Sequence, residues 1–333
     1  MKALKTLRPR QTRKARHDRN SALMANTTTA LRRQIGSARD LKAVVRTMKA
    51  SAASAIGQYE NSVAALGDYA RTVELGLSLC LRSAHAQGGQ ALVQKQTNQT
   101  HQTHRPSAVH AIVFGSDQGL VGRFNEAVVE HAMAQLGQQP AKAQVWAVGE
   151  RVQARLHDEG LSPAFTFPVP GSVELITRLV GQILLKVPTP GQETEGAAPG
   201  ETLVLFYNRP SGAGYEPVSQ RLLPLDGQWQ AGLAAQPWPT AQQPGVLGTS
   251  PQVLRAFVRE HLFVSLFRAS AESLASENAS RLAAMQRADR NIGELLTELG
   301  ARFHRIRQSG IDEELFDVVA GFDAMAPQAP PRA

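Results

Sequence analysis

Apolar residues recur at steps of three and four over two long stretches, one near each end of the chain. The first stripe runs Leu31, Ile35, Ala38, Leu41, Val45, Met48, Ala52, Ala55, Tyr59, Val63, Leu66, Ala70, Val73 and Leu77. This spacing keeps one face of an α-helix apolar. The second stripe runs Leu254, Val258, Leu262 and Leu266, and resumes at Ile292, Leu295, Leu299, Phe303 and Ile306. Proline, which breaks helix interiors, respects the same division. None of the 19 prolines lies between Pro9 and Pro106, or between Pro251 and Pro327. The pattern predicts one helix over about 28–82, with the hydroxyls of Thr27 to Thr29 available as caps. It predicts a second over about 251–320, with Ser250 as N-cap and Pro251 at the first helical position. At 1.5 Å per residue the two would be roughly 80 and 100 Å long. Gly293, Gly300 and Gly310 each cost such a helix about 1 kcal/mol, so kinks are expected there.

Neither stripe can bury itself. A period near 3.5 residues sustained over such a length calls for a partner helix and a supercoil. The two flanks are the obvious partners, and because the middle of the chain folds between them they would run antiparallel. Ala50, Ala52, Ala53 and Ala55, facing Ala279, Ala283, Ala284 and Ala288, would let the backbones approach closely. Two separate amphipathic helices on a globular core would satisfy the same stripes, but the lengths exceed an ordinary globular helix.

Between the flanks the pattern changes. Short apolar runs predict strands at 109–114, 144–148, 203–207 and 218–225. Helical spacing follows at 125–136, 150–157 and 172–185. Alternating strands and helices indicate a small α/β domain with a largely parallel sheet. The stretches 188–200 and 228–248 read as loops, the second a lid or a plain connection. The expected fold is therefore α/β with long terminal helices: an antiparallel coiled coil of the N- and C-terminal helices, with a small Rossmann-like α/β domain inserted between them. The divisions are a basic arm without fixed structure at 1–26, the first helix at 27–86, a polar insertion at 87–107, the α/β domain at 108–249, the second helix at 250–325 and a tail at 326–333.

Composition narrows the chemistry. The chain has 333 residues, 42% hydrophobic and 5% aromatic, a low aromatic share that suits helical rods better than a large sandwich core. Its apolar runs are too short for a membrane span. Cys80 is the single cysteine, so there is no intramolecular disulfide and no cysteine metal cluster. His101 and His104 lie in a polar, low-complexity run without a neighbouring carboxylate or cysteine, so no metal site is expected.

The net charge of +8 suggests nucleic acid until it is located. Residues 1–23 hold eight Lys and Arg against Asp18, while the remainder carries 28 basic and 27 acidic groups. The body is nearly neutral and the basicity belongs to the arm. The arm reads as a disordered segment that touches acidic lipid or nucleic acid, as a transit peptide, or as sequence ahead of a true start at Met24. The last reading is preferred, because Met24 stands just before the expected helix.

The strand, glycine loop and helix at 109–125 invite a nucleotide-binding reading. The loop is not G-x-G-x-x-G, however, and no G-K-[ST] follows, so phosphate would find no lysine. No catalytic residue, cofactor or metal is expected.

Three blocks carry a resemblance. The first runs Leu31-Arg32-Arg33-Gln34-Ile35 through Val44-Val45-Arg46-Thr47-Met48-Lys49-Ala50. The second is Ser116-Asp117-Gln118-Gly119-Leu120-Val121-Gly122-Arg123-Phe124-Asn125. The third begins Ala275-Ser276-Glu277-Asn278-Ala279-Ser280-Arg281 and continues through Arg307-Gln308 to Ile311-Asp312-Glu313-Glu314-Leu315 and Gly321. Together they resemble the gamma subunit of F-type ATP synthases, the central rotor shaft. Val121 stands where a cysteine is usual, Asp312 replaces a threonine and Phe322 an alanine, as in a divergent branch or a second ATP synthase. A single cysteine also leaves no pair for a redox switch.

The resemblance implies a non-catalytic subunit that couples ion flow through a membrane c-type ring to conformational change in catalytic alpha- and beta-type subunits, with an epsilon-type companion. It places the chain peripherally on the cytoplasmic face of a bacterial plasma membrane. It implies no nucleic-acid partner and no cofactor. Met48, Lys49, Arg307 and Gln308 match its subunit-contact residues. The alternatives are a coiled-coil nucleic-acid-binding protein, favoured by the basic arm, and a dinucleotide-binding enzyme, favoured by the glycine loop.

Overall fold

The computed structural model describes residues 9–86, 109–137, 143–187, 202–212, 214–242, 244–245 and 250–325, with side chains described for 27–83 of the first helix and 251–322 of the last. The expected insertion at 87–107, the loop at 188–200 and the tail at 326–333 lie outside the described residues. Two very long helices flank the middle, α1 (Pro9–Ala86) and α6 (Ser250–Met325).

Helix α1 begins at Pro9, well before the expected start near residue 28, so the arm expected to lack fixed structure is helical over 9–26. Proline suits a first helical position, and the residues after it are mostly helix formers with no glycine among them. Helix α6 continues as α-helix through Gly293, Gly300 and Gly310. Flanking leucines and arginines, good helix formers, offset the cost of three isolated glycines.

Between them come β1 (Val109–Phe114), α2 (Phe124–Leu136), β2 (Ala143–Val148), α3 (Glu150–Asp158), β3 (Phe165–Phe167), α4 (Val173–Leu184), β4 (Thr202–Ser211), β5 (Gly214–Leu223) and α5 (Gly227–Ala235). The five strands lie in the order β3-β2-β1-β4-β5. The first four are parallel, with Ile112 level with both Trp146 and Leu205, and β5 is antiparallel to β4.

Three features depart from the sequence reading. Strand β3, only three residues long, lacked any periodic signal. The β4–β5 hairpin is longer than expected, because Pro210 and Pro217 lie within its strands. Beyond Phe206 the described partner of β4 is β5, so an imino residue breaks fewer ladder bonds there. The segment expected as loop at 228–248 opens with helix α5, whose N-cap Asp226 accepts a hydrogen bond from the Trp229 N–H at 2.9 Å. Gly227 and Gly232 hid this helix, and Leu233 anchors it against Ala70, Val73 and Leu77 of α1.

The chain divides into two compact units, Met1–Lys49 with Met285–Ala333, and Ala50–Ala284. In the second, the sheet is covered on both faces, which is why β1 is buried at every position. Val109, Ala111 and Val113 point toward α2 and α3. Ile112 and Phe114 point the other way, into a core shared by Ile176 and Ile183 of α4, Tyr59 of α1, and Leu262, Leu266 and Leu274 of α6. The long helices thus complete one layer of the α/β domain.

Candidate functional site

In the unit formed by the ends of the long helices, α1 and α6 run side by side in opposite directions. Rising numbers on α1 meet falling numbers on α6: Arg32 lies over the Phe303 ring at 5.3 Å, Lys42 Nζ lies 3.4 Å from where a Cβ on Gly293 would stand, and Lys49 Nζ meets Asp289 Oδ2 at 2.9 Å. Along α1 the buried positions Leu31, Ala38, Val45, Ala52 and Tyr59 recur every seven residues. Between them Ile35, Lys42 and Lys49 are half-buried, while Leu41, expected in the stripe, is 53% exposed. On α6 the seam runs through Met285, Asp289, Ile292, Leu296 and Leu299, and Leu295, also expected in it, is 45% exposed. The buried face follows the expected stripe except at Leu41 and Leu295, where the next residues, Lys42 and Leu296, are half-buried instead.

The seam carries charge. Lys49 and Asp289 retain 29% and 25% side-chain exposure. The hydrogen bond from Lys49, helped by the charges of Lys49, Lys42 and Arg46, holds the Asp289 carboxyl below the usual carboxylate range. Outside the seam the surface is basic: residues 27–49 and 285–310 contain eleven Lys and Arg against four Asp and Glu. Exposed arginines stand on both helices, among them Arg33, Arg39, Arg290, Arg302 and Arg305. Toward the end of α6 the character changes. Ile311, Leu315, Val318 and Phe322 recur at helical spacing, each more than half exposed and Phe322 76% exposed. An exposed apolar strip of this kind marks an interaction surface. In sequence alone this strip cannot be told from the apolar positions of α6 that are buried, since both recur at helical spacing.

Of the four contact residues inferred from the resemblance, Arg307 and Gln308 are exposed, Met48 is half-buried and Lys49 is engaged by Asp289. They form no single cluster. Asp289, level with Lys49, stands roughly 27 Å along α6 from Arg307 at 1.5 Å per residue.

In the second unit the glycine loop after β1 spends its polar groups internally. Asn125 at the start of α2 accepts from the Ser116 N–H at 3.0 Å and donates to Ser116 Oγ at 2.8 Å. The Asp117 carboxylate accepts from the N–H groups of Glu150 and Val169, both at 2.9 Å, tying α3 and the segment after β3 to the loop. Ser280 of α6 donates to the Val121 carbonyl, and Asn208 of β4, fully buried, donates to the Phe124 carbonyl at 2.8 Å. Parallel sheets bind dinucleotides beyond the strand ends where the strand order reverses, here between β1 and β4. Asn208, Phe124 and Ser280 occupy that place. Gly149 has φ 118°, and a Cβ on it would stand 2.7 Å from the Ser116 carbonyl oxygen, so the loop and the start of α3 pack backbone to backbone.

Beneath the loop, burial raises the Glu277 carboxyl and the Arg281 charge opposes the shift; the two groups pair at 2.6 Å. The geometry is that of a structural joint: its polar groups face one another, and α6 is docked on them.

The sequence model of the family described as ATP synthase matches residues 27–325. Among curated relatives, the ATP synthase gamma chain of Fuscovulum blasticum is 23% identical over 301 residues, covering 89% of this chain and 98% of that one. The gamma chain of Salinispora arenicola is 26% identical over 320 residues, covering 91% and 98%. Among solved structures, the rotor of the Euglena gracilis mitochondrial ATP synthase covers 86% of this chain and 99% of its own, with a TM-score of 0.55 at 17% identity. A chain from the OSCP/F1/c-ring assembly of the same organism covers 93% and 99%, with a TM-score of 0.58 at 16% identity. These structures share the fold.

Proposed function

The chain belongs to the ATP synthase gamma-chain family, and from that premise we propose that the paired ends of α1 and α6 form a coiled-coil shaft turning inside a ring of catalytic alpha- and beta-type subunits. A gamma chain is a non-catalytic subunit of the complex, part of its central stalk. Ion flow through a membrane c-type ring drives the shaft, and the α/β domain, with its Rossmann-like parallel order, serves as the foot against that ring and an epsilon-type companion. The chain works at the cytoplasmic face of a bacterial plasma membrane as a peripheral component; among the described residues no helix is long and apolar enough to cross a membrane.

The observation that carries this reading is the surface of the helix ends. A basic belt and an exposed apolar strip at Ile311, Leu315, Val318 and Phe322 lie on a paired-helix scaffold. Such a surface suits a rod enclosed by protein: the apolar strip needs cover, and the arginines complement acidic partners. Because the two helices present different residues, each subunit of a surrounding ring meets a different face, and rotation gives each a different contact set in turn. Coupling then passes through a rigid element that biases discrete arrangements of its partners.

The test is purification of the tagged chain from its host with identification of what accompanies it. Alpha- and beta-type subunits, an epsilon-type subunit and c-type subunits are expected together. Recovery of the chain alone under conditions that keep the host's other ATP synthase subunits assembled would sink the reading. The isolated chain is expected to show no steady ATP turnover.

A further inference from the structure

Both long helices carry two competing seams. On α1, Leu31, Ala38, Val45 and Ala52 are common to both, and the positions between them are either Leu41 and Met48 or Lys42 and Lys49. On α6, Met285, Ile292 and Leu299 are common, and the choice is Ala288 and Leu295 or Asp289 and Leu296. The two faces differ by a turn of roughly 50° about each helix axis, from 100° per residue. Apolar burial alone favours the first face, which would cover Leu41 and Leu295 and release Lys42 into water. The structure shows the second where the two differ in burial: Leu41 is 53% and Leu295 45% exposed while Lys42 and Leu296 are half-buried, and Met48 and Ala288 are half-buried beside Lys49 and Asp289.

Two features account for the outcome. Lys49 meets Asp289 across the seam at 2.9 Å, so each charge is paired. Gly293 leaves open the space that Lys42 Nζ approaches, 3.4 Å from where a Cβ would stand. Both belong to the second face only. In the first, Asp289 and Lys49 would turn away from one another. The neighbouring seam residues Ala38 and Ala52 are too small to interlock deeply, so apolar packing there resists rotation weakly.

We infer that Lys49 and Asp289, with Lys42 over Gly293, form a rotational key that selects which faces of the two helices meet, and thereby keeps Leu41, Val44 and Leu295 on the outside. The key is a set of positioning residues. Its link to rotary coupling rests on the shaft reading, because the outward leucines are then part of the surface that the ring meets; the key itself is a property of this chain alone. A polar residue in a helix seam is a known means of fixing one packing over its competitors.

Thiol labelling of the full chain tests it. In a Cys80→Ala background, single cysteines replace Leu41, Leu295 or Leu296. With the key intact, positions 41 and 295 should react fast and position 296 slowly. Asp289→Ala leaves Lys49 unpaired in the seam and should slow labelling at 41 and 295 while speeding it at 296, changing the ratio about fivefold, as expected for a partly exposed ion pair. Exchange of the charges, Lys49→Asp with Asp289→Lys, should restore the original ratio. Unchanged ratios in Asp289→Ala overturn the inference. Parallel acceleration at all three positions also overturns it, since that is loosening and not rotation. Neither result bears on whether the chain assembles with a ring, which co-purification decides separately.

Discussion

Asn125 does two jobs with one amide. Its oxygen accepts from the Ser116 N–H and its nitrogen donates to Ser116 Oγ, with the residue only 7% exposed. Asn125→Ala would leave the Ser116 N–H without its acceptor in a dry site, while the Ser116 hydroxyl keeps its bond to the Gln118 carbonyl, at a cost of about 1–3 kcal/mol. Urea unfolding should show that loss, while a change at the exposed Gln118 in the same loop should cost far less. Glu272 gives the pH counterpart. Burial raises its carboxyl above the ordinary 4.5, against the opposing hydrogen bond from Tyr207 and the charges of Arg268 and Arg209. The folded state therefore holds this proton more tightly than the unfolded chain. Its contribution to stability is fully present below the unfolded value and is lost as pH rises through the folded one. Glu272→Gln removes that dependence, so the variant should lose less stability than the parent between about pH 4 and pH 7. Equal slopes for the two proteins in thermal unfolding across that range would refute it. The sequence showed the glycine loop, which invited a phosphate reading; it could not show that the loop's polar groups are spent internally, because Glu150, Val169 and Ser280, which meet them, are far away in the chain.

At the scale of the element, the seam of α1 sets the sensitivities. Val45 is 5% exposed and Gln34 lies exposed off the stripe. Val45→Asp puts an unpaired carboxylate in the seam, at a cost of about 3 kcal/mol or more, and should prevent stable recovery with partner subunits. Gln34→Glu should be tolerated. Leu299 is only half-buried, so Leu299→Asp should be milder than the change at Val45. Comparable recovery of both aspartate variants and the parent would show that the seam does not hold the helices together. That these helices exist, and roughly where α6 starts, was legible from apolar spacing and from the placement of proline. That Leu41 and Leu295 would face outward was not, since two faces one residue apart share most of their apolar positions, and Lys49 and Lys42 meet Asp289 and Gly293 of the other helix.

At the scale of the whole molecule, Arg307 and Gln308 carry the expectation of contact with a catalytic ring. Both are exposed in the chain, so neither is needed for its fold. Replacing both with alanine should leave subunit recovery intact and reduce rotation-coupled ATP turnover by about tenfold, the loss typical of two polar contacts made across an interface. Coupled turnover at the parental rate in the double variant would remove them from the contact set. The exposed strip at Ile311, Leu315, Val318 and Phe322 belongs to the same question, and its cover is expected to come from outside the chain.

By itself, the sequence determined the class of architecture: two long helices around an alternating α/β middle. Helical and strand periodicity and the exclusion of proline are local properties, written within a few turns of chain. Tertiary structure decided the rest. It paired β3 with β2 although β3 is three residues long, made α1 and α6 a layer of the sheet's cover, closed the glycine loop on itself and chose the buried face of each helix. Each of these depends on groups far apart in sequence, Lys49 and Asp289 or Val121 and Ser280, and an energy that needs both partners cannot be read from either one alone.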